Sequence, residues 1–143
     1  MRFWDSSALV TLHVEQQHTI QTRALYEADP DVLAWNLTDV EMRSALRRLE
    51  RSSALVGTPL DDAIARCDAL WESVHVVQLT DGVKARAKRL LASHTLRAAD
   101  ALQLAAALVA ARDDPDGQGF VCLDDRLSTA AAREGFTVLP VRT

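Results

Sequence analysis

Four carboxylates stand in stretches that are otherwise apolar: Asp5 directly after Arg2-Phe3-Trp4, Glu41 beside the apolar stripe of its helix, Asp100 inside Ala98-Ala99-Asp100-Ala101-Leu102, and Asp124 directly after Phe120-Val121-Cys122-Leu123. Each has a local explanation. Asp5 and Asp124 are good N-caps for a following helix. Asp100 falls in a first helical turn, where an acid is favoured, and Arg97 stands close enough in sequence to pair with it. Thr38-x-x-Glu41 matches a capping box, and taken alone that reading of Glu41 wins. Together the four ask for something else. Carboxylates gathered at one point repel each other and raise each other's pKa. A hard divalent cation such as Mg²⁺, or Mn²⁺, resolves that conflict through oxygen ligands and water. Such an ion activates a water and steadies the transition state of phosphodiester hydrolysis, so no Cys or His nucleophile is required. His13, His18, His75 and His94 form no recognisable catalytic pair.

These acids can meet only if the elements carrying them converge. Strand and helix alternate along the chain. Strands are expected at Arg2 to Trp4, Val32 to Trp35, Val74 to Leu79, Phe120 to Leu123 and Thr137 to Val141. Helices are expected at Ser7 to Val14, Ile20 to Ala28, Thr38 to Arg51, from Thr58 as N-cap with Pro59 in the first helical position, after the Thr80 cap to about Ala92, at Ala98 to Ala111, and at Arg126 to Arg133 before Gly135. This alternation predicts an α/β fold, a three-layer α/β/α sandwich around a parallel sheet. Ligands of such folds bind beyond the carboxyl ends of the strands, where Asp5 and Asp124 fall.

The chain has 143 residues, ordinary for a single domain, with 48% hydrophobic and 25% charged residues. It shows no repeat and no internal linker, so 1–143 reads as one domain. No apolar run is long enough to span a bilayer, and an acid at position five argues against a signal peptide, so a cytoplasmic location is expected. The two cysteines, Cys67 and Cys122, lie outside any Cys/His cluster, which argues against zinc and for small core residues. The net charge of −4 speaks mildly against a nucleic-acid binder, an objection that bound cations remove.

Several of these segments resemble motifs of the PIN-domain nucleases, and in particular the VapC-type toxins of bacterial toxin–antitoxin pairs. They are Phe3-Trp4-Asp5-Ser6-Ser7-Ala8-Leu9-Val10, Leu37 to Arg48 around Glu41, Leu96 to Ala105 around Asp100, and Phe120 to Leu127 with the helix to Gly135. They occur in the family's order over nearly the whole chain. The resemblance implies a sheet of four to five strands and an endoribonuclease that hydrolyses RNA with a metal-activated water. It implies metal ligation by Asp5, Asp100 and Asp124, with Glu41 binding directly or through water. Ser6 stands where the family has a hydroxyl residue that arranges the site, and Ser7 is the next candidate. Asp125 is read as an N-cap or accessory acid. Cys122 departs from the family, which often has Thr there, and a thiol is a poorer donor than a hydroxyl. The resemblance also implies a small VapB-like antitoxin that covers the active-site groove, and a homodimer. Leu9, Val10, Leu12, Trp35 and Trp71 are candidate interface residues, although core is the plainer reading for each.

Arg43, Arg47, Arg48 and Arg51 follow Glu41, and Lys84, Arg86, Lys88, Arg89 and Arg97 precede Asp100. Most belong to solvated helix faces. Arg97 and Arg86 are the preferred RNA contacts, holding phosphates that flank the scissile one. Aromatic residues make up only 5% of the chain, which disfavours extensive base stacking. Two other readings compete. Receiver-like domains expect an early acid pair and a late Lys, whereas Lys88 is the last lysine here, and haloacid-dehalogenase-like enzymes expect a DxD pair where Asp5 is followed by Ser6 and Ser7. The second is a catalytically inactive PIN-like module that binds RNA or a partner. Metal-dependent cleavage lost in Asp5→Asn separates it from an enzyme.

Overall fold

A computed structural model describes residues 1–141. The described elements run β1 (Arg2–Trp4), α1 (Ser6–Leu9), a 3₁₀ turn (Val10–Leu12), α2 (Thr19–Ala28), β2 (Val32–Trp35), α3 (Thr38–Arg51), α4 (Gly57–Trp71), β3 (His75–Val77), α5 (Asp81–Ser93), α6 (Ala98–Ala110), β4 (Gly119–Val121), α7 (Asp125–Glu134) and β5 (Thr137–Leu139). The strands form one five-stranded sheet in the order β3-β2-β1-β4-β5, and every pairing is parallel. The expected three-layer sandwich is therefore observed.

The sheet is buried on both faces, which is why its strands are short apolar runs rather than alternating ones. On one face Phe3, Trp35 and Phe120 pack against α5, α6 and α7 through Leu90, Leu104, Ala105 and Leu127. On the other, Trp4, Ala34 and Val121 pack against α1, α3 and α4 through Leu9, Met42, Leu46 and Leu60. Helix α6 is almost entirely apolar because it lies in the middle of the first layer, with Ala101 and Gln103 to Leu108 all buried. The candidate interface residues belong to these layers. Leu9, Val10 and Trp35 are buried, and Leu12 and Trp71 are half-buried against the second core.

Local chemistry explains most element ends. Thr80 accepts a hydrogen bond from the Val83 amide and opens α5, and Gly135, at φ +106°, closes α7. Two starts differ from expectation. The chain after Asp5 makes one α-helical turn and then tightens into the 3₁₀ segment. Helix α4 begins at Gly57, with Val56 as N-cap and no side-chain cap bond, so Thr58 is a helical residue and not the cap. Strands β3, β4 and β5 are shorter at their C-terminal ends than the apolar runs that contain them.

Candidate active site

Strands β1 and β4 are neighbours, and the strand order reverses between them: β2 and β3 lie to one side of β1, and β5 lies beyond β4. In open α/β sheets this crevice is the place where ligands bind. Asp5 leaves β1 at that point, and its amide donates to Val121 O of β4 at 2.9 Å. Its side chain is buried, with 4% exposure. The carboxylate also caps α1: Oδ2 accepts from the Ser7 amide at 3.1 Å and from Ser7 Oγ at 2.5 Å. Ser7 Oγ in turn accepts from the Leu123 amide at 3.0 Å, so this one hydroxyl stitches the end of β1 to the segment after β4. The Cys122 thiol, standing where the family often has Thr, donates to Asp5 Oδ2 at 3.7 Å. Burial and the nearby Asp5 charge push that thiol up to about 12, so it stays protonated and serves as a weak donor. Burial raises the Asp5 pKa, and the hydrogen bonds from Ser7 and Cys122 only partly oppose it.

Glu41 does not close a capping box. The N-cap of α3 is Leu37, with no side-chain bond, and Thr38 turns instead to Gln103, whose Nε2 donates to Thr38 Oγ1 at 3.2 Å. The Glu41 carboxylate is thereby left to bridge the start of α1 and helix α6. Its Oε2 accepts from Ser6 Oγ at 3.2 Å and its Oε1 from Gln103 Nε2 at 3.2 Å. Gln103 is wholly buried and stands one turn after Asp100 on α6, so it ties α3 to the helix that carries the third acid. Burial raises the Glu41 pKa first, and the charges of Asp5 and Asp100 add to the shift.

Asp100 is partly buried in the first turn of α6. Its carboxylate has no ion-pair or hydrogen-bond partner among the described residues, and the alternative of a pair with Arg97 is not formed at contact distance. Burial raises its pKa, followed by the charges of Asp124 and Asp5, and these outweigh the lowering by Arg97 and Arg126. Asp124 is exposed and is the N-cap of α7, accepting from the Leu127 amide at 2.8 Å. Asp125 is therefore the first residue of the helix and not its cap. The structure thus brings Asp5, Glu41 and Asp100 within electrostatic reach of one another, and Asp124 within reach of Asp100. Among the described residues, however, no three His, Cys, Asp or Glu side chains stand close enough to make a ready-made metal cage.

Two cavities open at the acids. One, of about 430 Å³, is lined by Arg97, Asp100, Asp124, Asp125 and Arg126. The other, of about 190 Å³, is lined by Ser6, Ser7, Glu41, Ser44, Ala45 and Arg48. Arg97 accordingly lies beside the acids. Arg86 is not brought to them. It is held by Asp113, with Nε donating to Oδ1 at 2.7 Å, and Asp113 lies beyond the C-terminal end of α6. Asp100 is in the first turn of that helix, so about 15 Å of helix separates the two places. The sequence alone does not mark Gln103 or Arg126 as site residues, and it groups Arg48 with the other arginines that follow Glu41. Gln103 had a visible signal, a lone amide in a helix that is otherwise apolar. Arg126 had only its place two residues after Asp124.

The family model described as PIN domain matches residues 2–132. Ribonuclease VapC45 and Ribonuclease VapC49, both of Mycobacterium tuberculosis, are each 34% identical to this chain over 140 residues, covering 98% of it and 95% of the relative. Among solved structures, FitAcB from Neisseria gonorrhoeae superposes with a TM-score of 0.68 at 16% identity, covering 98% of this chain and 97% of that one. Mycobacterium tuberculosis VapC20, described as a Sarcin-Ricin loop cleaving toxin, does so with a TM-score of 0.64 at 20% identity, covering 91% and 95%.

Proposed function

Because the chain belongs to the PIN domain family, we propose that it is a divalent-metal-dependent endoribonuclease, the toxin of a toxin–antitoxin pair, with its active site at Asp5, Glu41, Asp100 and Asp124. The observation that carries this reading is the meeting of acids from β1, α3 and α6 at the sheet's reversal point, each with a pKa raised by burial and, for Glu41 and Asp100, by its neighbours. The two 34%-identical relatives, both ribonucleases by name, agree with it. The toxin–antitoxin complex from Klebsiella pneumoniae, similar in fold at 14% identity and a TM-score of 0.61, points to an antitoxin partner of the same general kind.

The residues fit a divalent ion by the chemistry of their donors. They offer hard carboxylate oxygens, and the one soft group present, Cys122, is a protonated thiol already used as a donor. Mg²⁺ keeps several of its waters and can be held by carboxylates directly or through those waters, so it does not require three acids already in contact. Asp5, Asp100 and Asp124 would hold it, with Glu41 as a direct or water-mediated ligand. Divalent-metal dependence is general among PIN-domain ribonucleases, and the ion supplies Lewis-acid chemistry at the phosphodiester. The chain does the positioning. Ser7 and Cys122 fix the Asp5 carboxylate, and Ser6 and Gln103 hold the two oxygens of Glu41 in place. Arg97, which lines the larger cavity, would meet a phosphate next to the one being cut.

Incubation of the purified protein with total cellular RNA in Mg²⁺ or in EDTA, with the new ends mapped, tests the proposal. Discrete cuts that appear in Mg²⁺ and vanish in EDTA and in Asp5→Asn are expected. RNA binding without turnover by the unaltered chain would overturn the enzymatic reading in favour of a binding module.

A further inference from the structure

The larger acid-lined cavity does not end at Asp124. Asp125 and Arg126 line it and also line a second cavity of about 250 Å³, which runs along α7 with His94 and Thr95 on its opposite wall. Arg126, Thr129 and Arg133 face this groove, and their spacing of three and then four residues places them on one side of the helix. The seven-residue interval from Arg126 to Arg133 spans about 10 Å. All three are exposed. Neither arginine is ion-paired among the described residues, whereas Arg86 is held by Asp113 and Arg89 by Glu134, and His94 on the far wall is occupied by Glu134 at 2.7 Å.

A comparable trough lies along α3. It shares Ser44 with the Glu41 cavity and has a volume of about 510 Å³. Two of its three arginines are occupied: Arg43 is bound to Asp68 at 2.7 Å and Arg47 to Glu50 at 3.0 Å, which leaves Arg51 without an ion pair among the described residues, and Asp39 and Asp68 both line the trough. The α7 groove has one lining acid, Asp125, against two arginines that are in no ion pair among the described residues, adds the hydroxyls of Thr95 and Thr129, and has His94 as the one ring among its lining residues. Uncompensated guanidinium groups with hydroxyl donors suit phosphate oxygens, and a lining so poor in rings gives bases little to stack on.

We propose that the α7 groove is the track for the RNA backbone on one side of the scissile bond, with Arg126 holding the phosphate nearer the acids and Arg133 one further along the strand. The inference rests on the nuclease reading above. It makes the enzyme dependent on a strand that continues past the cut, and makes that dependence indifferent to base identity.

The test measures binding of a fluorescein-labelled single-stranded RNA of mixed sequence to the full-length chain by anisotropy, in millimolar Ca²⁺ in place of Mg²⁺, over a series of salt concentrations. Each phosphate contact removed from a single strand lowers the slope of log affinity against log salt by about 0.7. Arg126→Gln/Arg133→Gln together should therefore flatten the slope by about 1.4 and weaken binding by about tenfold or more at low salt. Arg51→Gln, in the α3 trough, should leave both nearly unchanged. An unaltered slope and affinity in the double variant would overturn the proposal, as would failure of the unaltered chain to bind the strand at all. Binding with the expected slopes but no Mg²⁺-dependent cleavage would instead sink the nuclease reading and leave the groove standing. These exposed substitutions touch no core residue, and an unchanged thermal transition checks that the variants fold.

Discussion

Gln103 shows how much a single side chain decides here. Its amide donates to both Thr38 and Glu41, and it is completely buried. Leucine has nearly the same volume but offers no donor, so Gln103→Leu leaves a hydroxyl and a carboxylate oxygen without their partner. A loss of about 1–3 kcal/mol of stability is expected by denaturant titration. A lower cleavage rate with little change in KM should accompany it, because Glu41 is no longer held. Glu41 could not be assigned from its own neighbourhood. Thr38-x-x-Glu41 is a sound capping box on paper, and the competing partner of Thr38 lies 65 positions away. Cys122 is the converse case. The thiol occupies the hydroxyl's place and still points at Asp5, so Cys122→Thr should retain cleavage within about twofold, whereas Cys122→Val removes the donor and should lower the rate. Rates for the two variants, measured at saturating Mg²⁺, decide the matter.

Between elements, polar ties on the outer layer add to the apolar core. Glu134 of α7 accepts from Arg89 of α5 at 3.0 Å and pairs with His94, just past the end of α5, at 2.7 Å. Its pKa is lowered, first by Arg89 and then by His94. A lowered carboxylate stabilises the fold above its ordinary value of 4.5, and that stability is lost as pH falls through the depressed one. Arg89 is half exposed, so solvent discounts the pair. Glu134→Gln should cost about 1 kcal/mol at pH 7, and the gap to the parent should close as the pH falls below the ordinary carboxylate value and through the depressed one when both are unfolded in urea. Helices with clear periodicity and caps were legible from the sequence. Thr38 to Arg51 matches α3 at both ends, and Thr80 caps α5 as expected. Ends set by tertiary contact were not. The chain after Val121 leaves the strand although the apolar run continues to Leu123, because Ser7 takes the Leu123 amide. Arg86 looked like its basic neighbours, and only the return of Asp113 beyond α6 shows where its charge is spent.

For the whole molecule, the parallel sheet and its reversal point follow from the alternation of elements, and they locate the site without any knowledge of its chemistry. The net charge of −4 is no obstacle to RNA when the acids are concentrated at the crevice and uncompensated arginines border it. Relief of that concentrated charge should be measurable as heat resistance. With Mg²⁺ at ten times its Kd the folded state gains about 1.4 kcal/mol, a rise of a few degrees in Tm, and Asp5→Asn should show a much smaller rise. All the strands point the same way, so the chain enters the fold at the edge opposite the acids, where the Met1 amine is bound to Asp29 at 2.7 Å. The last strand finishes at the end of the sheet that carries the acids, beside the end of β4. A fluorophore or affinity handle attached ahead of Met1 therefore hangs clear of the crevice, while the same handle inserted directly after β5 would stand at the end of the sheet that carries the acids and would compete for space there.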